Sequence, residues 1–177
     1  MLTVITLAMS LTVPTPSATA ADPVARTVQL LNSYRAKHGA RPLSLDSEVS
    51  RTAQEWANLL LRTADFRHRP NNPYGENLFW MGGRKRKIDD VVTKALESWY
   101  GESRGYDYGR EMTPSTVDMS VLHFTAMVWK SSDRVGVGLA QGNNGNYVVV
   151  NFAQRGNVLN QFVVNVLPPV TAVRPSP

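Results

Sequence analysis

Four motif residues in a fixed order constrain this chain more than any other feature of its sequence. Residues 123–130 read HFTAMVWK and open with His123, residues 74–78 read YGENL around Glu76, and residues 99–102 read WYGE and end with Glu102. His68 precedes these motifs, so the four residues follow the order His, Glu, Glu, His. Each is predicted near the end of a helix or strand, where a scaffold can hold a side chain in a cleft.

Two imidazoles and two carboxylates suit a small set of chemistries. Neutral imidazoles bind divalent metals, and a carboxylate can orient each ring through its second nitrogen. We therefore predict that His68 and His123 are metal ligands for Zn²⁺ or another divalent ion, with Glu76 and Glu102 behind them in the groove. General acid–base chemistry is also open to this set, so all four are candidate catalytic residues. A packed, hydrogen-bonded structural role is the alternative for each histidine.

The amino-acid sequences and the order of these motifs resemble those of the CAP superfamily, which is named for cysteine-rich secretory proteins, antigen 5 and pathogenesis-related proteins. The resemblance covers residues 24–169, and HFTAMVWK with the ending NVLPP is most similar to the Golgi-associated plant pathogenesis-related branch. It implies an α/β fold, a three-layer α-β-α sandwich with a mainly antiparallel central sheet, in which the four motif residues share a groove. Members of the family share this scaffold more reliably than they share an activity.

The periodicity of the sequence independently predicts a mixed α/β fold. Helical spacing predicts helices that begin after Asp22, after Asp46 and at Asp89. Alternating or continuous apolar runs predict strands at 76–80, 135–139 and 147–152, with an Asn-Gly hairpin turn between the last two. Residues 105–122 are predicted to be a long irregular loop whose apolar side chains either form an adaptable surface or enter the core.

Length and composition indicate one domain with flanking segments. Residues 1–21 form an apolar run that ends in small residues and resemble a secretory signal peptide, which predicts a secreted, extracellular protein. Residues 22–167 are predicted to form the CAP domain, and residues 168–177 a Pro-rich tail. The chain has no cysteine, which departs from most secreted CAP proteins and excludes disulfides and thiol nucleophiles.

Positive charge predicts a second functional surface. The chain carries a net charge of +5, and a basic protein is attracted to anionic surfaces without specificity. The densest cluster is Arg84, Lys85, Arg86 and Lys87, which we predict to contact acidic lipid headgroups; a solvated loop is the alternative. The expected partners are lipids or acidic membrane surfaces. A protein target and a weak homodimer stay open, and no specific nucleic acid is expected.

These observations favour a secreted CAP protein that binds lipid or an acidic membrane and does not catalyse a reaction. The sequence contains neither HExxH nor GxSxG, so no familiar hydrolase motif supports turnover. A metal-dependent hydrolase using the same four groove residues is one alternative, and a protein-interaction or toxin-like effector module is another. His38, the third histidine, is interpreted as structural, at a helix end where the helix dipole favours a cation.

Overall fold

A computed structural model describes residues 22–170, so the expected signal peptide and most of the expected Pro-rich tail lie outside the described residues. Within that part of the chain are five helices, two short 3₁₀ turns at 102–105 and 119–121, and four strands. The helices are α1 (Pro23–Lys37), α2 (Ser47–Thr63), α3 (Ile88–Gly101), α4 (Leu122–Val128) and α5 (Phe162–Asn165). The strands are β1 (Ser44–Leu45), β2 (Gly75–Met81), β3 (Arg134–Gly142) and β4 (Gly145–Ala153).

Aspartate caps begin the first two helices, as the sequence predicts. The side chain of Asp22 accepts the N–H of Val24 at 3.1 Å, and that of Asp46 accepts the N–H groups of Glu48 and Val49 at 2.9 and 3.0 Å. Such caps satisfy backbone donors that the helix itself leaves unpaired.

The third helix begins one residue before the predicted start. Ile88 is its first residue, and Lys87 occupies the capping position without a side-chain hydrogen bond. Asp89 therefore lies inside the first turn, together with Asp90. Acidic side chains there interact favourably with the helix dipole, which explains why aspartates mark this start without capping it.

The four strands form one sheet in the order β1-β3-β4-β2. Strands β2 and β3 both pair antiparallel with β4, whereas the two-residue strand β1 pairs parallel with β3. The sheet is therefore mixed, whereas the family resemblance implies a mainly antiparallel one; the difference is the parallel pairing of β1, and the two long pairings are antiparallel. The predicted hairpin joins β3 to β4, and Gly145 at its turn has φ +142°, a conformation that glycine adopts easily.

Alternate side chains of β4 pack against two different helical layers. Val148, Val150 and Phe152 face a cluster formed with α1, α3 and α4, while Tyr147 and Val149 face a cluster formed with α2. Successive side chains of a strand point to opposite faces, so a strand buried on both faces requires a helical layer on each. The predicted three-layer α-β-α sandwich is confirmed.

Two glycines of β3 let α2 lie directly on the sheet. A Cβ atom at Gly136 would come within 2.2 Å of the Val49 carbonyl carbon, and one at Gly138 within 2.3 Å of the Ala53 carbonyl carbon. Real side chains never approach backbone so closely, so these positions require hydrogen in place of a side chain. The sequence VGVGL thus forms a strand whose glycines also allow α2 to pack closely against it.

A buried arginine of α1 links this helix to the end of α4 and the segment that follows it. Arg35 is fully buried, and its guanidinium donates to the carbonyls of Arg41, Met127, Trp129 and Ser132 at 2.8–3.0 Å. Burial lowers the pKa of this group to about 10. Four carbonyl dipoles therefore stabilise a charge that has no carboxylate partner within the described residues.

His38 is structural, as expected, and its burial opposes the cationic form that the helix end favours. The ring is buried, with Nδ1 2.7 Å from the Leu167 carbonyl oxygen and Nε2 3.1 Å from the Tyr100 hydroxyl oxygen. Burial has the largest effect and lowers the pKa of His38; the hydrogen bond to the Leu167 carbonyl raises it, and the charge of Lys37 lowers it by a smaller amount. The cost of burying the charge outweighs the attraction of the helix end.

The loop at 105–122 uses its apolar side chains in both of the predicted ways. Met112 and Val121 are buried in the core, whereas Met119 is 71% exposed and Val117 also faces solvent. Among residues 22–170, no helix combines the length and apolarity needed to cross a membrane.

Candidate functional site

A groove of about 520 Å³ brings together three of the four motif residues that the sequence singles out. His68, Glu76 and His123 line it directly, and Glu102 lies behind His123. The groove opens where β2 begins, between the loop that follows α2 and the start of α4. Its other lining residues are Arg69, Asn71, Asn72, Tyr74, Gly75, Asn77, Met119, Leu122, Ala126, Arg155, Gly156 and Asn157.

The first histidine is oriented by the first glutamate. His68 Nδ1 lies 2.8 Å from Glu76 Oε1, and the side chain of Glu76 is only 4% exposed. An ionised carboxylate only accepts hydrogen bonds, so Nδ1 carries the proton and Nε2 keeps its lone pair in the neutral ring. The hydrogen bond to Glu76 raises the pKa of His68 above its ordinary value of 6.5, and burial opposes part of that rise.

Further hydrogen bonds hold Glu76 in place. Its Oε1 also accepts the backbone N–H of Arg69 at 3.0 Å, and its Oε2 accepts from the side-chain amide of Asn72 at 3.0 Å. The Asn72 amide also donates to Asn151 Oδ1 at 3.2 Å, so it links Glu76 to strand β4. Sequence reasoning missed Asn72, although its place in an Asn-rich loop just before the YGENL motif was a signal for it.

The second histidine is held in the same way from the other side of the groove. His123 Nδ1 lies 2.7 Å from Glu102 Oε1, and Glu102 Oε2 accepts the N–H of Phe124 at 3.0 Å. The ring also stacks on buried Trp99, with centroids 6.0 Å apart and planes 15° from parallel. Glu102 lies at the end of α3, so the WYGE motif supplies both the stacking residue and the carboxylate.

The groove wall near α4 is built from turn residues. Asn157, at φ +58°, donates to the Leu122 carbonyl at 2.9 Å and accepts from the Thr125 hydroxyl at 2.6 Å. Gly156 approaches Trp129 so closely that a Cβ there would lie 2.8 Å from the indole Cγ. This Gly-Asn pair therefore acts through packing and turn geometry. Asn77 adds a further link, because its amide donates to the His123 carbonyl at 2.9 Å.

The two imidazoles are the groove residues that could hold a divalent metal. Both imidazoles have a carboxylate on Nδ1, the arrangement by which proteins present Nε2 to a metal. Among residues 22–170, however, no group of three or more His, Asp and Glu side chains is placed to hold a metal ion together. Zinc sites in proteins usually have three or four protein ligands, so water would complete the shell here.

The groove lining lacks three common protein nucleophiles, since it includes no serine, threonine or cysteine. The groove is lined by two oriented imidazoles, two arginines and four asparagines. Met119, Leu122 and Ala126 form an apolar side. Such a surface is suited to binding.

The basic run that the sequence predicts as a lipid contact lies at the opposite end of β2. Glu76 is the second residue of that strand and Met81 its last, and residues 84–87 follow it in an exposed loop. At roughly 3.3 Å per residue, the five steps from Glu76 to Met81 separate the groove from this end of the sheet by about 17 Å. The structure thus does not bring the basic run and the groove together.

Comparison with known proteins assigns the chain to a family. The family model described as "CAP: Cysteine-rich secretory protein family" matches residues 28–152, and the chain belongs to this family. Its relatives include the human Golgi-associated plant pathogenesis-related protein 1, which is 36% identical over 144 residues, covering 78% of this chain and 88% of that protein. Tobacco pathogenesis-related protein 1C is 35% identical over 133 residues, covering 73% and 74%.

Solved structures agree with the fold. The structure titled "Crystal structure of NaASP2 with Zn2+" matches with a TM-score of 0.69 at 21% identity, covering 88% of this chain and 90% of that one. The structure of BmVAL-1 matches with a TM-score of 0.68 at 20% identity, covering 88% and 87%. The predicted CAP fold and the resemblance to the Golgi-associated branch are therefore confirmed.

Proposed function

We propose that this protein is an exported binding protein that attaches to acidic lipid surfaces through the hairpin end of its sheet. The hairpin end comprises Trp80, the β3–β4 turn and residues 84–87. The observation that carries the proposal is an exposed tryptophan at the same end of the sheet as four consecutive exposed cations. Trp80 is 49% exposed, and its indole N–H donates to the Asn144 carbonyl in the turn at 3.2 Å.

Tryptophan and basic residues contribute to membrane binding in different ways. An indole prefers the interface between water and lipid because it is apolar yet carries a polar N–H. Each cation near an anionic surface contributes about 1 kcal/mol, so four contribute about 4 kcal/mol, on the order of a 10³-fold gain in affinity. This attraction acts over roughly one Debye length, ~10 Å at 0.1 M salt and ~3 Å at 1 M.

Vesicle co-sedimentation at two salt concentrations tests the proposal. Vesicles containing an acidic phospholipid should retain the protein at 0.1 M salt and release most of it at 1 M, while neutral vesicles should retain little. Changing residues 84–87 to serine should reduce binding to acidic vesicles at least about 100-fold.

A second variant tests whether binding depends on the position of the four charges or only on the net charge of the protein. Changing Arg26, Arg41, Arg104 and Lys130 to serine removes the same four charges from exposed positions away from the hairpin end. This variant should keep most of the binding. Equal losses in the two variants, or equal binding to neutral and acidic vesicles, would contradict the proposal.

A second role is supported by the two imidazole–carboxylate pairs. The groove would hold a divalent ion through Nε2 of His68 and Nε2 of His123, with Glu76 and Glu102 fixing the rings and water completing the shell. The bound ion would supply Lewis acidity to a ligand in the groove.

Calorimetric titration of zinc tests the metal role. Wild type should bind one equivalent with modest affinity, and His68→Ala and His123→Ala should each weaken binding at least tenfold. Glu97→Gln changes one exposed carboxylate of α3 outside the groove and should leave binding unchanged. If wild type binds no zinc at millimolar concentration, the groove is a polar structural feature.

Export is part of the proposed function and has its own test. The apolar run at 1–21 motivates it, and the relatives include pathogenesis-related proteins and a venom allergen. N-terminal sequencing of protein recovered from culture medium should give a chain that begins at Ala21 or Asp22. Folded, soluble protein that retains Met1 would contradict export by this route.

A further inference from the structure

A depression beside the basic loop has a mixed-charge lining. It has a volume of about 330 Å³ and lies between the end of β2 and the first two turns of α3. This volume is at the lower end of the range of small-molecule sites and suits one polar headgroup. Its lining residues are Met81, Arg86, Lys87, Asp90, Val91 and Lys94.

Three cations and one carboxylate surround this depression. Lys87, Asp90 and Lys94 are spaced three and four residues apart at the start of α3, which places them on one face of the helix. Arg86 faces the same depression from the loop. None of the four takes part in the ion pairs within 4.0 Å found among residues 22–170. Their charges are therefore available to a ligand that carries both signs.

A buried asparagine pre-organises the loop that carries Arg86. The amide nitrogen of Asn146, which is fully buried in β4, donates to the carbonyls of Met81 and Arg84 at 3.2 and 3.1 Å. Its oxygen accepts the backbone N–H of Arg86 at 3.1 Å, and Gln141 donates to the Arg86 carbonyl at 3.0 Å. The backbone of the basic loop is thus held in one conformation, which lowers the entropy lost when a ligand binds.

We infer that this depression binds the phosphoserine headgroup of an acidic membrane, with Asp90 as the residue that selects it. The headgroup carries a phosphate, a carboxylate and an ammonium. Arg86, Lys87 and Lys94 match the two anionic groups, and Asp90 matches the ammonium. A glycerol headgroup has the same net charge but no ammonium, so it leaves Asp90 as an unpaired negative charge beside the phosphate. This inference rests on the proposed membrane attachment and adds specificity to it.

The experiment compares two acidic lipids at the same charge density. Vesicles of a neutral phospholipid with equal mole fractions of phosphatidylserine or phosphatidylglycerol are titrated with the purified protein. Wild type should bind the phosphatidylserine vesicles about 3–5-fold more tightly, a ratio of the size that one exposed ion pair gives. Asp90→Asn should abolish this preference, with binding to phosphatidylglycerol unchanged or stronger.

Two further variants make the outcome decisive. Glu97→Gln removes one exposed carboxylate elsewhere on α3 and should keep the preference, while Lys94→Gln should weaken binding to phosphatidylserine vesicles. If wild type binds both vesicles equally, or if Glu97→Gln loses the preference as Asp90→Asn does, the headgroup inference fails while membrane attachment stands. If wild type binds neither vesicle, the proposed function itself fails.

Discussion

Nδ1 of His123 lies 2.7 Å from Oε1 of Glu102, and the second oxygen of the same carboxylate accepts the N–H of Phe124. One side chain therefore orients the imidazole and also satisfies a backbone donor in the first turn of α4. Glu102 itself is 19% exposed, so this link is partly shielded from water. The same carboxylate thus connects the stability of the fold to the geometry of the groove.

Glu102→Gln should lower both the stability of the fold and the affinity of the groove for zinc. A glutamine oxygen can still accept from one donor, but its amide nitrogen cannot accept the second, which leaves one donor without a partner. We expect a loss of about 1–3 kcal/mol in the free energy of unfolding, measured by urea denaturation. Zinc affinity should fall roughly 10–100-fold, as it does when residues that orient metal ligands are removed. Unchanged stability and unchanged zinc affinity would show that the contact has little importance.

The pKa of His68 should be measurably above 6.5, because the Glu76 carboxylate accepts a hydrogen bond from Nδ1 of His68. A raised pKa in the folded state means that this pair stabilises the fold most below pH 6.5 and that the contribution is lost as pH rises through the folded pKa. Zinc requires the neutral ring, so zinc binding should follow the opposite trend and weaken as pH falls through the same pKa.

Glu76→Gln tests whether the Glu76 carboxylate causes the raised pKa of His68. Removing the charge should bring the His68 pKa down to 6.5 or below, since burial alone lowers it. Proton-detected titration of the imidazole resonances measures both values. A His68 pKa at or below 6.5 in wild type would contradict the hydrogen bond.

Gly138→Ala should destabilise the sandwich by at least about 2 kcal/mol, because the new methyl group overlaps the backbone of α2 at Ala53. Gly101→Ala is the matched control. A Cβ at Gly101 meets no atom within 4 Å, so this change should be neutral or stabilise the protein by up to about 1 kcal/mol. Thermal denaturation of the two variants checks the difference, and similar melting temperatures would show that α2 does not require the glycine.

Arg35→Lys should destabilise the protein by about 3 kcal/mol or more. A lysine ammonium cannot reach four carbonyls arranged around a planar guanidinium, so several buried acceptors lose their donor. Arg26→Lys, at an exposed position of the same helix, should change the free energy of unfolding by less than about 0.5 kcal/mol. A small effect at Arg35 would mean that water replaces the lost contacts.

Local signals in the sequence predicted much of the fold. Asp22 and Asp46 cap helices and Gly145 forms the hairpin turn. Three of the four motif residues lie at the end of a helix or strand, and His68 lies in the loop between α2 and β2. Their pairing as His68 with Glu76 and His123 with Glu102 follows from the order of the elements in space. That order came from the family resemblance, because spacing along the chain does not contain it.

Long-range contacts account for what the sequence did not predict. Gly136 and Gly138 looked like ordinary strand residues, and only the packing of α2 explains them. The parallel pairing of β1 rests on two residues, too few to produce a periodic pattern. The preorganisation of residues 84–87 depends on Asn146, which lies about 60 residues further along the chain. A single sequence gives no sign of that contact.

Under the proposed function, membrane attachment resides in the hairpin end and is independent of the groove. The most direct measurement is the binding of three proteins to the same acidic vesicles at 0.1 M salt: wild type, the variant with serine at residues 84–87, and His68→Ala/His123→Ala. We predict that the serine variant loses binding at least about 100-fold while the histidine variant binds like wild type. Loss of binding in the histidine variant with retention in the serine variant would place attachment in the groove and contradict this prediction.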